Sequence, residues 1–303
     1  MFSEWLLPAS LVLTMLAMGC TLTRWDFVYL VRFPKAVFTG LSVQLLALPL
    51  VAIVIAYLAP LQLSWKMGIV LTAACPGGAS AGLVSFLLGG NLALNIVITS
   101  VNSFITLFTI PLVMKLAAAL FRTGISQEIR LPVGETILFV FLTTVLPALV
   151  GMLLRHKYGP VVARWAKRLK PLVAALMALA LVGVLFWEPE SEKLSADIML
   201  LLLPYMFLVN LLGLSAALFF TRLLKLGTRN AVSITTEIGL QNTAMAIGLA
   251  ASNMVFNDHA MGYPAAVYAT FSFFTALLLA MHLRRRTIKA FLRRKLKIFT
   301  VKD

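Results

Sequence analysis

One carboxylate stands in the middle of an apolar stretch, in Thr235-Thr236-Glu237-Ile238-Gly239-Leu240-Gln241-Asn242-Thr243. No Lys or Arg lies in the same segment to neutralise it. A carboxylate at membrane depth is expensive, so it marks a functional place by default. Three chemistries are open to it. It can be a neutral acid in a hydrogen-bonded core, a proton relay, or a ligand for a cation. Its neighbours favour the third. Gln241 lies one turn on, Asn242 and Thr243 follow, and Gly239 marks a place where a helix can unwind and free its carbonyls. Carboxylate, amide, hydroxyl and carbonyl oxygens together suit a hard cation.

A second anomaly is Ala74-Cys75-Pro76-Gly77-Gly78-Ala79-Ser80. Proline removes a helix donor and clashes with the preceding turn, and two glycines add freedom. Pro76, Gly77 and Gly78 therefore predict a helix break, with a tolerated kink as the plainer alternative. Next comes a polar stripe. Asn91, Asn95, Thr99, Asn102, Ser103 and Thr106 recur at helical spacing along one face. Such a stripe can glue helices together. Asn95 and Thr99 can equally supply oxygens to an ion. Gln44, ahead of Pro49, is one more intramembrane amide, whereas Glu135 lies a turn from a span end, where water reaches it.

The elements that must position these groups follow from composition. Of 303 residues, 61% are hydrophobic and only 12% charged, and the mean hydropathy is +0.96. Soluble domains run at about 45–50% apolar and about 25% charged. The solvent for such a surplus is lipid, where spans must be helices or closed barrels. Barrel strands alternate apolar and polar residues, but residues 38–58 and 198–214 are apolar on all faces. The expected fold is an all-α polytopic membrane protein with nine spans at residues 5–23, 34–58, 67–88, 92–120, 132–154, 171–187, 197–221, 230–254 and 263–283. The two anomalies fall in the third and eighth spans, each next to last in its half. Matched interrupted helices in two halves point to an inverted-repeat transporter. The expected division is a first repeat of four spans at 1–125, broken at 75–82. A second repeat of five spans at 126–285 is broken at 235–243, and a basic tail follows at 286–303.

With nine spans the termini lie on opposite sides. If the C-terminus is inside, 21 of the 26 Lys and Arg face the cytoplasm and five face outward. The positive-inside rule then puts the N-terminus outside. The net charge of +15 is thus accounted for without nucleic acid. The acidic run Glu188-Pro189-Glu190-Ser191-Glu192 falls on the outer side. The basic tail can meet anionic headgroups, though topology fixing explains it as well. Cys20 and Cys75 give neither zinc spacing nor a disulfide framework. Glu4 precedes the first apolar run in place of a basic segment, which argues against a cleavable signal. His156, His259 and His282 sit at span ends or in loops, so an intramembrane hydrolase lacks a base at depth and no enzymatic activity is expected.

These residues resemble the bile acid:sodium symporter family, specifically its bacterial members. The resemblance runs from about Leu7 to Arg284. Its motifs are Glu237-Ile238-Gly239-Leu240-Gln241-Asn242, then Cys75-Pro76-Gly77-Gly78 followed by the run from Gly90 to Ser100. Gln44 ahead of Leu48-Pro49-Leu50, and Met18-Gly19-Cys20-Thr21-Leu22, complete the set. The resemblance implies a panel domain and a core domain with two crossing broken helices, sited in the cell (inner) membrane. It also implies that this chain lacks the first helix of the ten-span forms. It implies coupling to one or two Na+ ions. One ion would be held by Glu237, Asn95, Thr99 and the turn at Ala81-Gly82. The other would be held by Gln44, Gln241, Glu237 and the carbonyls of Ile238 and Leu240. An organic anion, bile-acid-like, steroid-sulphate-like or a small pantoate-like carboxylate, would lie near Gly78, Ala79, Ser80 and Asn242. The family usually has Ser-Asn at the place of Ala81-Gly82, so two side-chain ligands of the first ion are missing, and Asn95 replaces a smaller Ser. The first site is therefore weakened or rebuilt. Proton-coupled or uncoupled anion carriage is the alternative, with Glu237 as proton acceptor. The lipid bilayer and the anion are the expected partners, and a monomer is the simplest assembly.

Overall fold

The computed structural model describes residues 2–20, 22, 28, 32–121, 133–159, 161–162, 164–165 and 194–299. Ten helices are used below. They are α1 (Phe2–Gly19), α2 (Pro34–Leu58), α3 (Leu63–Ala74), α4 (Ala79–Leu87) and α5 (Leu92–Phe121). The second half supplies α6 (Val133–Tyr158), α7 (Ala196–Leu223), α8 (Thr228–Gly239), α9 (Thr243–Ala251) and α10 (His259–Phe299). Eight of the nine predicted spans fall on these helices, the third and eighth as broken pairs. The span at 171–187, the acidic run at 188–192 and the boundary between the predicted repeats lie outside the described residues. The helix α10 continues past the predicted end of its span, through most of the basic tail.

Five of these helices are each long and apolar enough to cross a bilayer. Large apolar side chains cover the outside of the spans, and a set of polar groups is buried within the apolar core. Leu58 is 74% exposed, whereas Glu237 is 0% exposed. Every residue of α8 from Ala231 to Gly239 is buried, although the run holds two threonines, a serine and the carboxylate. The chain is thus a multi-pass membrane protein with a polar centre.

Local chemistry explains where the helices change. Pro76 has no N–H, and a residue before proline is steered to extended backbone. Cys75 accordingly closes α3 at ψ 151. Helix resumes at Ala79, so the first interruption spans only 75–78 and not 75–82. The second spans only Leu240 to Asn242, because Gly239 is still helical. Neither break depends on glycine torsions, since Gly77, Gly78 and Gly239 are all absent from the positive-φ residues. Prolines also shape α2 and α6. Each has a five-residue π-helical segment, Val43–Ala47 and Phe141–Val145, ending just before a Leu-Pro pair. Pro49 and Pro147 cannot donate, and the widened turn absorbs the missing bond. Gln44 sits in the first of these segments.

Small residues let α1 and α6 pack backbone to backbone. A Cβ on Gly151 would strike the Leu16 carbonyl oxygen, and one on Gly19 would strike that of Ala148. Gly151→Val is therefore expected to lower stability by about 2–3 kcal/mol, read as a fall in the thermal midpoint of the detergent-purified protein. Gly134→Ala is the control, because its added Cβ meets nothing within 4 Å.

Candidate functional site

The two interruptions cross and pair. The Gly78 N–H donates to the Leu240 carbonyl at 2.6 Å, and the Asn242 N–H donates to the Pro76 carbonyl at 2.8 Å. Gly77 and Gln241 thereby form an antiparallel bridge. Backbone groups freed from two helices need partners inside lipid, and each break supplies them to the other. Glycine is needed here for room. A Cβ on Gly77 would run into Oε1 and Cδ of Glu237, and one on Gly78 would lie 3.3 Å from the Gln241 carbonyl. The sequence expectation of flexibility at these glycines is corrected to one of close approach.

Glu237 projects from the last turn of α8 toward α5. Asn95 Nδ2 donates to its Oε2 at 2.8 Å. Thr99 Oγ1 lies 2.7 Å from Oε1 and 2.8 Å from Oε2. The same hydroxyl is 2.9 Å from the Asn95 carbonyl. One hydroxyl proton thus faces three oxygens, all buried. Such a cluster is short of positive charge, which a cation or a proton on the carboxylate relieves. Asn95 Oδ1 faces the other way, 3.1 Å from where a Cβ on Gly82 would stand.

Below it lies a pair of amides. Gln44 Nε2 donates to the Cys75 carbonyl at 2.9 Å and to Gln241 Oε1 at 2.8 Å. Gln241 Nε2 donates to the Ile238 carbonyl at 2.7 Å and to Gln44 Oε1 at 3.2 Å. Both amides are buried and close on one another at the crossing. The Leu240 carbonyl belongs to the same place, through its bond from Gly78.

Other predicted residues are differently placed. Ala81 and Gly82 lie in the first turn of α4, not in a turn of the break. Ala81 is buried and its methyl offers no oxygen. Asn242 caps α9 by accepting from the Met245 N–H at 3.1 Å, and the Gly78 N–H is spent on Leu240. Ser80 is exposed, one residue into α4 beside Ala79. Along the α5 stripe, Ser103 and Thr106 bond back to their own helix, and Asn91 Nδ2 donates to Asn230 Oδ1 at 2.9 Å.

Sequence reasoning missed two groups. Ser233, one turn before Glu237, shares a 2.8 Å hydrogen bond with Ser85 and donates to the Asn91 carbonyl at 2.9 Å. Asn210 and Tyr268 meet at the carbonyl of Gly239. Asn210 is a mid-span amide like Gln44, and that signal was available. Tyr268 carried no signal, since a tyrosine in an apolar helix reads as bulk.

The model of the Sodium Bile acid symporter family matches residues 8–192. The chain belongs to this family. It is therefore a transporter and not an enzyme. Relatives agree in kind. The chain is 26% identical over 275 residues to the "Uncharacterized sodium-dependent transporter YocS" of Bacillus subtilis (strain 168), covering 91% of this chain and 82% of that one. It is 26% identical over 268 residues to the "Probable sodium/metabolite cotransporter BASS1, chloroplastic" of Arabidopsis thaliana, covering 87% and 64%. It is 30% identical over 182 residues to the human "Sodium/bile acid cotransporter 4", covering 58% and 41%. The chain thus spans less than two thirds of the length of the plant and human proteins. The family match ends at residue 192, before α8, so the Glu237 half of the crossing is described by its geometry alone.

Proposed function

We propose that this protein is a sodium-coupled symporter for an organic anion. The observation that carries this reading is the buried carboxylate of Glu237 at the crossing of two broken helices, with more oxygens around it than protons to bind them. In the first site, sodium would take Glu237 and Thr99 as they stand and the Asn95 amide oxygen after a half-turn. As it stands, the Asn95 oxygen lies on the Gly82 side, 3.1 Å from where a Cβ there would be, and the half-turn would bring it to the carboxylate. In the second site, Gln44, Gln241, Glu237 and the carbonyls of Ile238 and Leu240 would hold the other ion. The oxygen-rich donor set suits sodium. The names of the relatives, sodium-dependent transporter and sodium/metabolite or sodium/bile acid cotransporter, point the same way.

Coupling follows from the pairing of the breaks. Ions at both sites would tie α3, α4 and α5 to α8 and α9, order the crossing, and so shape the anion site beside Gly78, Ala79, Ser80 and Asn242. The N-termini of α4 and α9 add partial positive charge there. Rocking of this core against a panel would expose the site to either side. The two halves would be inverted repeats, since the order long, broken, long recurs as α2 to α5 and as α7 to α10. The charge bias supports an N-terminus outside and a C-terminus in the cytoplasm of an inner-membrane protein.

The test is uptake into proteoliposomes of a panel of bile acids, steroid sulphates and pantoate-like carboxylates, under imposed sodium or pH gradients. Uptake is expected to follow the sodium gradient with a Hill coefficient above one, as two ions require. A coefficient of one would mean that the first site does not bind. Uptake that follows pH and ignores sodium would favour the second reading, in which a proton on Glu237 satisfies the same three oxygens.

A further inference from the structure

Where α8 ends inside the membrane, its last carbonyls lose their helical donors and cannot turn to water. Two carbonyls here find partners at the crossing. The Ile238 carbonyl accepts from Gln241 Nε2 and the Leu240 carbonyl from the Gly78 N–H. Gly239, between them, points elsewhere. Its carbonyl accepts from the Tyr268 hydroxyl of α10 at 3.0 Å and from Asn210 Nδ2 of α7 at 3.1 Å. Asn210 Nδ2 is also 2.7 Å from the Tyr268 oxygen, which closes the three groups into a ring. Tyr268 and Asn210 are both buried.

Two helices therefore contribute polar side chains to one carbonyl. The cost is visible, because Asn210 Oδ1 is buried with no partner among the described residues. Burying an unpaired amide oxygen is unfavourable, so packing alone does not account for an asparagine here. Close approach is built in as well. A Cβ on Gly239 would come 2.8 Å from Leu214 of α7 and 3.2 Å from Ala276 of α10. The end of α8 is wedged between these helices, and that brings its carbonyl within reach of both side chains.

We propose that Tyr268 and Asn210 are positioning residues for the second cation site. By holding the Gly239 carbonyl away from the crossing, they fix the two peptide planes around it, so that the Ile238 and Leu240 carbonyls face Gln44 and Gln241. Without them that peptide is held only by the bond from the Leu240 N–H to the Thr236 carbonyl at 3.1 Å, and its neighbours lose part of their aim. The proposal rests on the sodium reading given above, since those two carbonyls are the ones assigned to the ion. Both residues act through backbone and touch neither the ion nor the anion.

The test is sodium-dependent uptake by full-length Tyr268→Phe, which removes only the hydroxyl, and by Asn210→Leu, which removes the amide at similar volume. The half-saturating sodium concentration is expected to rise about fivefold to tenfold in each, with uptake at saturating sodium within about twofold of wild type. The double variant is expected to show less than the product of the two effects, because both act on one carbonyl. A sodium-dependent wild type with unchanged half-saturation in Tyr268→Phe overturns the positioning role alone. Uptake lowered equally at every sodium concentration also overturns it, since that is what a merely structural role produces. A wild type indifferent to sodium overturns the site reading and this proposal together.

Discussion

Replacing Glu237 by alanine is expected to abolish sodium-driven uptake, with a loss of at least about a hundredfold in transport at a fixed sodium concentration. The carboxylate is the only charged group at the crossing among the described residues, and it is fully buried. Its two oxygens are the shared acceptors of Asn95 and Thr99, so truncation also leaves an amide and a hydroxyl facing one another across a gap. Insertion and folding should survive, because the bonds that pair the two breaks are made by backbone and not by this side chain. Size-exclusion profiles and thermal midpoints without sodium are the check on folding. Glu237→Gln separates charge from shape. It keeps the volume and is expected to lose sodium-driven uptake nearly as completely. Gln241→Ala should behave alike, because it removes one amide of the pair that bridges α2 and α8. Normal sodium-driven uptake in Glu237→Ala and Gln241→Ala would refute the assignment.

Gly77→Ala should be almost as damaging, although it adds a single methyl. That methyl would occupy the space of Glu237 Oε1, and it would also press on the Glu237 carbonyl 3.0 Å away. Neither obstacle is the free end of a mobile chain, since the carboxylate is held by two partners and the carbonyl is backbone. Overpacking of this kind costs about 1–3 kcal/mol, and transport is expected to fall by at least about tenfold as the carboxylate is pushed off Thr99. Gly77→Ala with Glu237→Asp shortens the acid by one methylene and should recover part of the stability. Gly134→Ala, which meets nothing, should be silent in both assays. A Gly77→Ala protein with wild-type stability and uptake would show that the close approach is not needed.

The candidate site groups were legible because lipid makes polar residues conspicuous. Glu237, Gln44, Asn95, Thr99 and Gln241 stood out against apolar surroundings, and the structure gathers them at one crossing. The breaks were legible through Pro76 and the glycines, but their lengths were not. Proline marks where a helix must stop, whereas its restart at Ala79 depends on the pairing of Gly78 with Leu240, a contact 162 residues distant in sequence. The reason for the glycines was equally hidden. Their torsions are ordinary, and only the position of Glu237 shows why a side chain is excluded at Gly77. The π-helical segments before Pro49 and Pro147 are local and could be anticipated from proline chemistry, yet the aim they give Gln44 could not. Ser233 escaped notice because a serine hydroxyl in a helix is usually satisfied by the preceding turn, and Tyr268 because its ring reads as bulk; only tertiary structure shows which hydroxyls reach across.

Sodium binding without transport tests the central claim most directly. The purified protein is melted in detergent in sodium chloride and in choline chloride at equal ionic strength. A ligand that binds only the folded state stabilises it by about 2.7 kcal/mol at a hundred times its dissociation constant. The wild type is expected to melt at a clearly higher temperature in sodium, and Glu237→Ala is expected to show no such rise. A wild type that melts identically in both salts, or a Glu237→Ala protein that gains as much from sodium as the wild type, would contradict the account.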